Sequence, residues 1–422
     1  MAPHLGYGPA MAANRDFLVI TVTGRDRPGI TAALSRILLE SQVRILDVEQ
    51  ATLQDILALA FLVDLSSSPG STQDMLKELL YQAKQMELTL DFRAFLPEEM
   101  VVRQSRDLYA LSCISTLPLA DVLARITPVL ASHGINIVTI RCLAEAQISG
   151  VEMMVDATRS GSHERFKQEI LAAAGAMGID LAIQRETVFR RNKRLLVFDM
   201  DRTLIAGHTL NELAALQGVG REVEALTDLA LAGEMDYRES VRRRVMLLAG
   251  ATREHLEHVA QKISVNDGVE RLLKAVKRLG YRVALVSGGL DYFTSHVSTR
   301  LGLDYAFGNQ LEMRDGVATG RLEGEIIDAD AKARILHDLA AREHIHPEQV
   351  VAIGDGANDV LMLSQAGLGI AYHAQPVVSE RADARISAGA LMSILYFLGI
   401  TERDLAEIER IPEAPRHAPG PR

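Results

Sequence analysis

Two stretches near the start of the chain repeat each other in register. Residues 17–24 (FLVITVTG) and 109–116 (YALSCIST) are short β-type runs, and residues 45–53 (ILDVEQATL) and 137–145 (IVTIRCLAE) form a second matched pair. Both pairs are offset by 92 residues (17 to 109, 45 to 137). Between them Ile30, Leu34, Ile37 and Leu38 share one helical face, and Val122, Ile126, Val129 and Leu130 take the same relative places in the second copy. Each copy continues through an apolar stretch (57–65; 151–157), an amphipathic helix (72–86; 162–177) and a closing strand (88–95; 180–187). The order βαββαβ, twice, predicts two α+β domains of ferredoxin-like type, over 16–98 and 105–189. Each is expected to be a four-stranded antiparallel sheet with two helices on one face, leaving the other face and the sheet edges open. Open edges favour a homodimer, because two-fold pairing satisfies both at once.

A basic stretch, 190–194 (RRNKR), reads as a solvated linker and marks the next boundary. Beyond it, short buried runs at 195–198, 282–287 and 350–354 alternate with helical patterns such as 269–279 and 332–342, which predicts a doubly wound parallel α/β sheet over 195–400. Residues 211–263 interrupt that rhythm with helix formers, so a helical cap is expected over 208–270. The termini, 1–15 and the proline-rich 411–422, read as a disordered leader and tail. The length of 422 residues fits several domains of this kind, and 48% hydrophobic with 24% charged residues is ordinary globular usage.

Net charge −10 gives no global field for nucleic acid or anionic lipid, so an anionic substrate must be attracted locally. The longest mainly apolar run, 56–63, is far short of the roughly 20 residues a membrane helix needs. Cys113 and Cys142 sit in no metal or redox spacing, and a reducing cytoplasm is the expected setting.

Reactive groups of a parallel α/β sheet gather at the carboxyl ends of its strands. Here three strand ends carry polar clusters: Asp199, Met200, Asp201, Arg202 and Thr203 (DMDRT); Ser287, Gly288 and Gly289; and residues 354–359 (GDGAND). Turn or N-cap duty would account for one such aspartate but not for all three clusters. Asp199, Asp355 and Asp359 would converge as hard oxygen ligands, a concentration of negative charge that calls for a cation such as Mg²⁺. With repulsion neutralised, Asp199 can attack phosphorus in line, and Asp201 can protonate the leaving oxygen and then take a proton from water. Ser287 alone could equally be a strand-end cap, and Lys332 alone a solvated helix lysine.

Together with Lys332, these anchors resemble the haloacid dehalogenase superfamily. The resemblance implies Mg²⁺ held by Asp199, the Asp201 carbonyl and Asp355, with Asp359 adjoining. It also implies phosphoryl oxygens bound by Ser287, the Gly288 amide, Lys332 and Asn358. The repeated N-terminal copies resemble ACT domains, regulatory modules that often bind amino acids. The most specific match is residues 24–30 (GRDRPGI), where Asp26, Arg27, Pro28 and Gly29 would face an effector. The second copy has TLPLADV there and lacks that glycine. The alternative for both copies is dimerisation alone.

Tandem ACT-like copies ahead of such a domain resemble bacterial phosphoserine phosphatases, as do residues 233–245 (GEMDYRESVRRRV), 286–291 (VSGGLD) and 303–309 (LDYAFGN). The resemblance implies that Arg244 binds the substrate carboxylate and Tyr237, where the family usually has Phe, closes over it; Arg244 could also be one of three exposed helix arginines. Two positions depart from the family pattern: Arg202 stands where serine is usual, and His208 where a glutamate usually meets the substrate ammonium. These departures raise a related phosphatase or phosphotransferase for another small phosphorylated acid as an alternative. A non-catalytic sensor would instead be expected to have lost the nucleophile, the acid or the metal ligands.

Overall fold

The computed structural model describes residues 17–66, 72–95, 107–231 and 234–412. The expected leader 1–15 and residues 413–422 of the expected tail therefore lie outside the described residues, as does Gly233. The chain divides into two compact units, Met1–Ser105 and Arg106–Arg422. Among the described residues no helix is long and apolar enough to cross a membrane.

The first unit runs β1 (Phe17–Arg25), α1 (Ile30–Glu40), β2 (Arg44–Leu53), β3 (Ile56–Asp64), α2 (Thr72–Gln85) and β4 (Thr89–Phe95). Its strands form one antiparallel sheet in the order β2-β3-β1-β4. Alternation along β1 and β3 sends Leu18, Ile20, Val22, Leu57, Leu59, Phe61 and Val63 to one face. There they pack against Ile30, Leu34, Ile37 and Leu38 of α1 and Met75, Leu79 and Ala83 of α2.

The second unit opens with the same order: β5 (Leu108–Ser115), α3 (Leu119–Ser132), β6 (Asn136–Ala144), β7 (Ser149–Asp156), α4 (His163–Ala176) and β8 (Asp180–Arg185). The α/β part of the unit begins at β9 (Leu195–Phe198). Four helices follow, α5 (Thr209–Leu216), α6 (Gly220–Leu231), α7 (Tyr237–Met246) and α8 (Arg253–Lys262), which make up the expected cap. Next come α9 (Val269–Arg278), β10 (Arg282–Leu290), α10 (Asp291–Leu301), β11 (Tyr305–Arg314), β12 (Val317–Glu323) and α11 (Ala329–Arg342). Three strands complete the sheet, β13 (Val350–Gly354), β14 (Leu368–Tyr372) and β15 (Ala384–Ile386). Strands β11, β10, β9, β13, β14 and β15 are mutually parallel, and β12 is an antiparallel edge. The continuous apolar character of β9 follows from burial on both sides: Leu196 and Phe198 enter one core, Leu195 and Val197 the other.

Two expectations are corrected. The second copy does not close its own four-stranded sheet with a free edge at β8. That strand pairs antiparallel with β15 (Ala182↔Ala384, Leu181↔Arg385), giving one sheet of 11 strands ordered β12-β11-β10-β9-β13-β14-β15-β8-β5-β7-β6. One of the edges from which dimerisation was argued is thus filled from within the chain. Nor is 190–194 solvated throughout: Arg191, Asn192 and Arg194 are exposed, but Arg190 and Lys193 are buried. Arg190 is 3% exposed, donating to Glu152 at 2.8 Å and pairing with Glu186. Lys193 is 4% exposed and donates to the carbonyls of Glu348 (2.6 Å) and Gly367 (2.8 Å). Among the described residues no carboxylate bonds to it, and burial lowers the Lys193 pKa to about 8.

The seam is further fixed by Asp180, which is buried on β8. Its carboxylate accepts from the backbone N–H of Ser387 (2.6 Å), Ala388 (3.2 Å) and Gly389 (2.9 Å), just past β15. Burial raises its pKa although all three bonds oppose the rise. Replacing it by Ala orphans three amides, so Asp180→Ala should destabilise this unit by about 3 kcal/mol, as expected for hydrogen bonds to a charged acceptor. Chemical denaturation checks this, with faster hydrogen exchange at 384–389; unchanged stability would show that the seam rests on β8–β15 pairing alone.

Candidate active site

The register of the central strands builds the site. Phe198 at the end of β9 lies beside Ile353 of β13 and Leu285 of β10, so Asp199, Gly354–Asp355 and Val286–Ser287 emerge next to one another. The Asp199 amide donates to the Ile353 carbonyl at 2.9 Å, which continues the ladder by one step. Helix α11 supplies Lys332 from beneath. Its side chain is wholly buried, and its ammonium bonds to Asp199 Oδ1 and, at 2.7 Å, to Asp359 Oδ1. The other Asp359 oxygen accepts from the amides of Asp355 (3.2 Å) and Gly356 (3.0 Å), folding the 354–359 loop around its own carboxylate. Gly354 is required there, since a Cβ would fall 2.5 Å from the Asp359 carboxyl group.

Asp199, Asp355 and Asp359 offer carboxylate oxygens that all lie within 4.8 Å of one another, and all three residues are buried. Burial pushes Asp199 well above the ordinary carboxylate range, Lys332 pulls it back, and Asp359 and Asp355 push further. Burial, then Asp359, pushes Asp355 up to about 6, against Arg202 and the Thr203 hydroxyl. Burial also works against the Lys332 charge, but Asp199 and Asp359 outweigh it and its pKa rises. Three crowded hard-oxygen donors outnumber the single buried ammonium, and this donor set suits a small divalent cation such as Mg²⁺.

Asp201 stands outside that cluster. Its Oδ1 accepts from the Thr209 amide (3.0 Å) and hydroxyl (3.2 Å) at the first turn of α5, while burial raises its pKa against those bonds. A buried carboxyl group of raised pKa, held by a helix N-terminus, is suited to exchanging a proton. Ser287 is buried, and its Oγ accepts from the Gly289 amide at 2.9 Å. The Gly288 carbonyl accepts from Asn309 Nδ2 (2.7 Å), and Asn309 Oδ1 takes the Ile327 amide (2.8 Å), tying the β10 loop to the approach to α11. Tyr237 comes down from the cap: a Cβ on Gly288 would lie 2.1 Å from its hydroxyl. Asn358 is half-buried on the 354–359 loop.

Arg244, half-buried on α7, has only long contacts to neutral oxygens, the Ser240 carbonyl (3.4 Å) and the Thr227 hydroxyl (3.5 Å). Arg202 places Nε 3.5 Å from Asp355 Oδ2 and adopts φ +59°, a left-handed conformation unusual for a long side chain. His208 holds the N-cap position of α5 without a side-chain capping bond; although the residue is exposed overall, partial desolvation of its ring lowers its pKa, Asp201 opposes, and Arg202 and Arg244 add to the lowering. The expected phosphate and metal groups thus meet at one sheet edge, with His208, Tyr237 and Arg244 above them. In the separate first unit, Asp26, Arg27, Pro28 and Gly29 form an exposed loop. There the Asp26 amide donates to Asp55 (2.6 Å), Arg27 bonds to the Met86 carbonyl, and Gly29 (φ +98°) opens α1.

Several positioning groups had no role in the sequence reading. Thr209 holds Asp201, Thr203 donates to Asp355 (3.2 Å), and Arg238 of the cap pairs with Asp328, the N-cap of α11. Asn266 Nδ2 reaches the carbonyls of Arg202 (3.2 Å), Thr203 (2.8 Å) and Ile205 (3.3 Å), fixing the turn after Asp201. Thr203 at least lay inside the DMDRT run; Asn266 carries no local signal, because its partners are some sixty residues earlier in the chain.

The haloacid dehalogenase-like hydrolase family matches residues 196–364, and two ACT domain families match residues 16–93 and 118–184. The phosphoserine phosphatase of Streptomyces coelicolor is 35% identical over 405 residues, covering 96% of this chain and 97% of that protein. Phosphoserine phosphatase SerB2 of Mycobacterium tuberculosis is 33% identical over 392 residues, covering 92% of this chain and 94% of its own length. Among solved structures, a haloacid dehalogenase family hydrolase of Salmonella enterica serovar Typhi superposes with a TM-score of 0.61 at 30% identity, covering 69% of this chain and 98% of that one. Near-complete coverage by relatives above 30% identity, with two ACT domains ahead of the hydrolase domain in the same order, places this chain in the phosphoserine phosphatase family of haloacid dehalogenase-like hydrolases.

Proposed function

We propose that the chain hydrolyses O-phospho-L-serine to serine and phosphate in two displacements at Asp199. The observation that carries this reading is the Asp199–Lys332–Asp359 arrangement beside Asp355, with Asp201 two residues on and held apart by Thr209. An Asp199 oxygen attacks phosphorus, the ester P–O bond breaks, and the departing serine oxygen takes the proton of Asp201. Asp201 then accepts a proton from water as that water's oxygen attacks phosphorus, and the bond to Asp199 breaks with release of phosphate. Ser287, the Gly288 amide, Lys332 and Asn358 hold the phosphoryl oxygens, Arg244 takes the substrate carboxylate, and Tyr237 covers the site. Asp199, the Asp201 carbonyl, Asp355 and Asp359 would hold Mg²⁺, which supplies charge neutralisation between carboxylate and phosphate when bound.

The first ACT copy would take an amino-acid effector at Asp26, Arg27, Pro28 and Gly29, in a cytoplasmic homodimer. The exposed loop supports the first assignment, and the sheet-ending strands β2 and β6 support the second.

Phosphate release from phosphoserine with and without Mg²⁺ tests the reading: chelation should abolish it and Mg²⁺ restore it. A cation and a proton compete for the same Asp355 oxygens, so the Mg²⁺ requirement should be flat above pH 6. Below that it should climb about tenfold per pH unit as Asp355 protonates. A requirement that stays constant down to pH 5 would remove Asp355 from the ligand set, and absence of phosphate release at saturating Mg²⁺ would sink the activity itself.

A further inference from the structure

The groups around the mouth of the site are unevenly charged. Every carboxylate at the bottom is already engaged: Asp199 and Asp359 by Lys332, Asp355 by Thr203 and Arg202, Asp201 by Thr209. Above them stand Arg202, His208 and Arg244. Arg244 has no carboxylate partner among the described residues, and its two hydrogen bonds go to neutral oxygens. His208 immediately precedes Thr209, which grips Asp201, and it lies close enough to Asp201, Arg202 and Arg244 to feel their charges. The charges acting on His208 are Asp201, Arg202 and Arg244, and Asp201 is the sole carboxylate acting on Arg244.

Phosphoserine presents three poles to such a rim: a phosphate, a carboxylate and an ammonium group. The first two find cations. Among the described residues of the rim the ammonium finds no free carboxylate, only the Arg202 and Arg244 guanidinium groups, which repel it, and the His208 imidazole, which offers it no fixed negative charge. We infer that this site recognises its substrate by the phosphate and carboxylate alone, with Arg202 and His208 discriminating against an ammonium at the third pole. Its substrate class is then small phosphomonoesters of carboxylic acids, amine-free members included. This rests on the phosphatase reading above and names the substrate range of that same site.

The test is kcat/KM for O-phospho-L-serine, 3-phosphoglycerate and 3-phosphonooxypropanoate, in which hydroxyl and hydrogen replace the amine, on the full-length enzyme with Mg²⁺. The wild-type protein should turn over the amine-free esters at least as efficiently as phosphoserine. His208→Glu should raise the ratio of phosphoserine to 3-phosphonooxypropanoate at least tenfold, mostly through KM, because the new carboxylate meets the ammonium in the ground state as well as the transition state. Arg202→Ser should move the same ratio the same way. A wild-type preference for phosphoserine above tenfold overturns the inference and leaves the phosphatase reading standing, and so does a ratio unmoved in His208→Glu. Failure of all three esters to release phosphate overturns both. The wild-type ratio decides the matter even if a variant does not fold.

Discussion

Asp199→Asn should release no detectable phosphate and yet melt at the same temperature as the wild-type protein or above it. The two halves of this result have one cause. Asp199 is buried among Asp355 and Asp359, and its raised pKa means that its charged form is disfavoured in the folded protein despite Lys332. An unfolded aspartate ionises near pH 4, so at neutral pH the folded state bears the cost of holding this charge, and a neutral isostere relieves it. The amide retains the shape of the side chain and loses the proposed nucleophile. Activity and stability are then set against each other at one position, as is common where a site concentrates like charges. Phosphate release with a thermal melt checks both halves. A phosphoryl adduct on the Asp199 peptide of wild-type enzyme quenched during turnover distinguishes covalent attack from a role in orienting water. Residual turnover in Asp199→Asn would transfer the nucleophile's role elsewhere.

Lys332→Met should produce the opposite balance, losing both. The wholly buried ammonium is the shared counter-charge of Asp199 and Asp359, and methionine fills its volume without charge. Removing one partner of a buried ion cluster costs about 3–5 kcal/mol, because the remaining charges are left uncompensated. Loss of a preorganised cation at the phosphoryl oxygens should lower kcat by about 10²–10³-fold. The destabilisation has a pH signature. Asp199 and Asp355, whose pKa values burial already raises, lose the cation that opposes the rise, so their excess charge is greatest at high pH and vanishes as protons bind. The gap in melting temperature between variant and wild type should therefore narrow as pH falls through about 6, the region where Asp355 already titrates. Mg²⁺ should narrow it as well. A gap independent of pH would mean that Lys332 contributes packing and not charge.

Asp199 and Lys332 both belong to features that are readable in the amino-acid sequence. The duplication was legible because a 92-residue offset preserves strand and helix periodicity, which is local, and the strand-end clusters were legible because a buried parallel strand is a short apolar run with an abrupt polar end. What stayed hidden was set by partners far away in sequence. Arg190 and Lys193 look like linker charges until Glu152 and the carbonyls of Glu348 and Gly367 are brought against them. Asn266 reads as an ordinary loop residue until it gathers three carbonyls from the turn after Asp201. The pairing of β8 with β15 was illegible for the same reason, since a three-residue strand carries too little pattern to announce its neighbour.

That pairing also decides how the second ACT copy can communicate. A module hung on a flexible tether signals by swinging, but here Leu181 and Ala182 share a hydrogen-bonded ladder with Ala384 and Arg385. Two strands further along lies β13, which ends in the loop carrying Asp355 and Asp359. Paired strands run from one to the other, so twist or shear of this copy is passed through backbone amides, the way a load passes along a plank. The second copy is thus a girder of the α/β body, and only the first copy stands as a compact unit of its own.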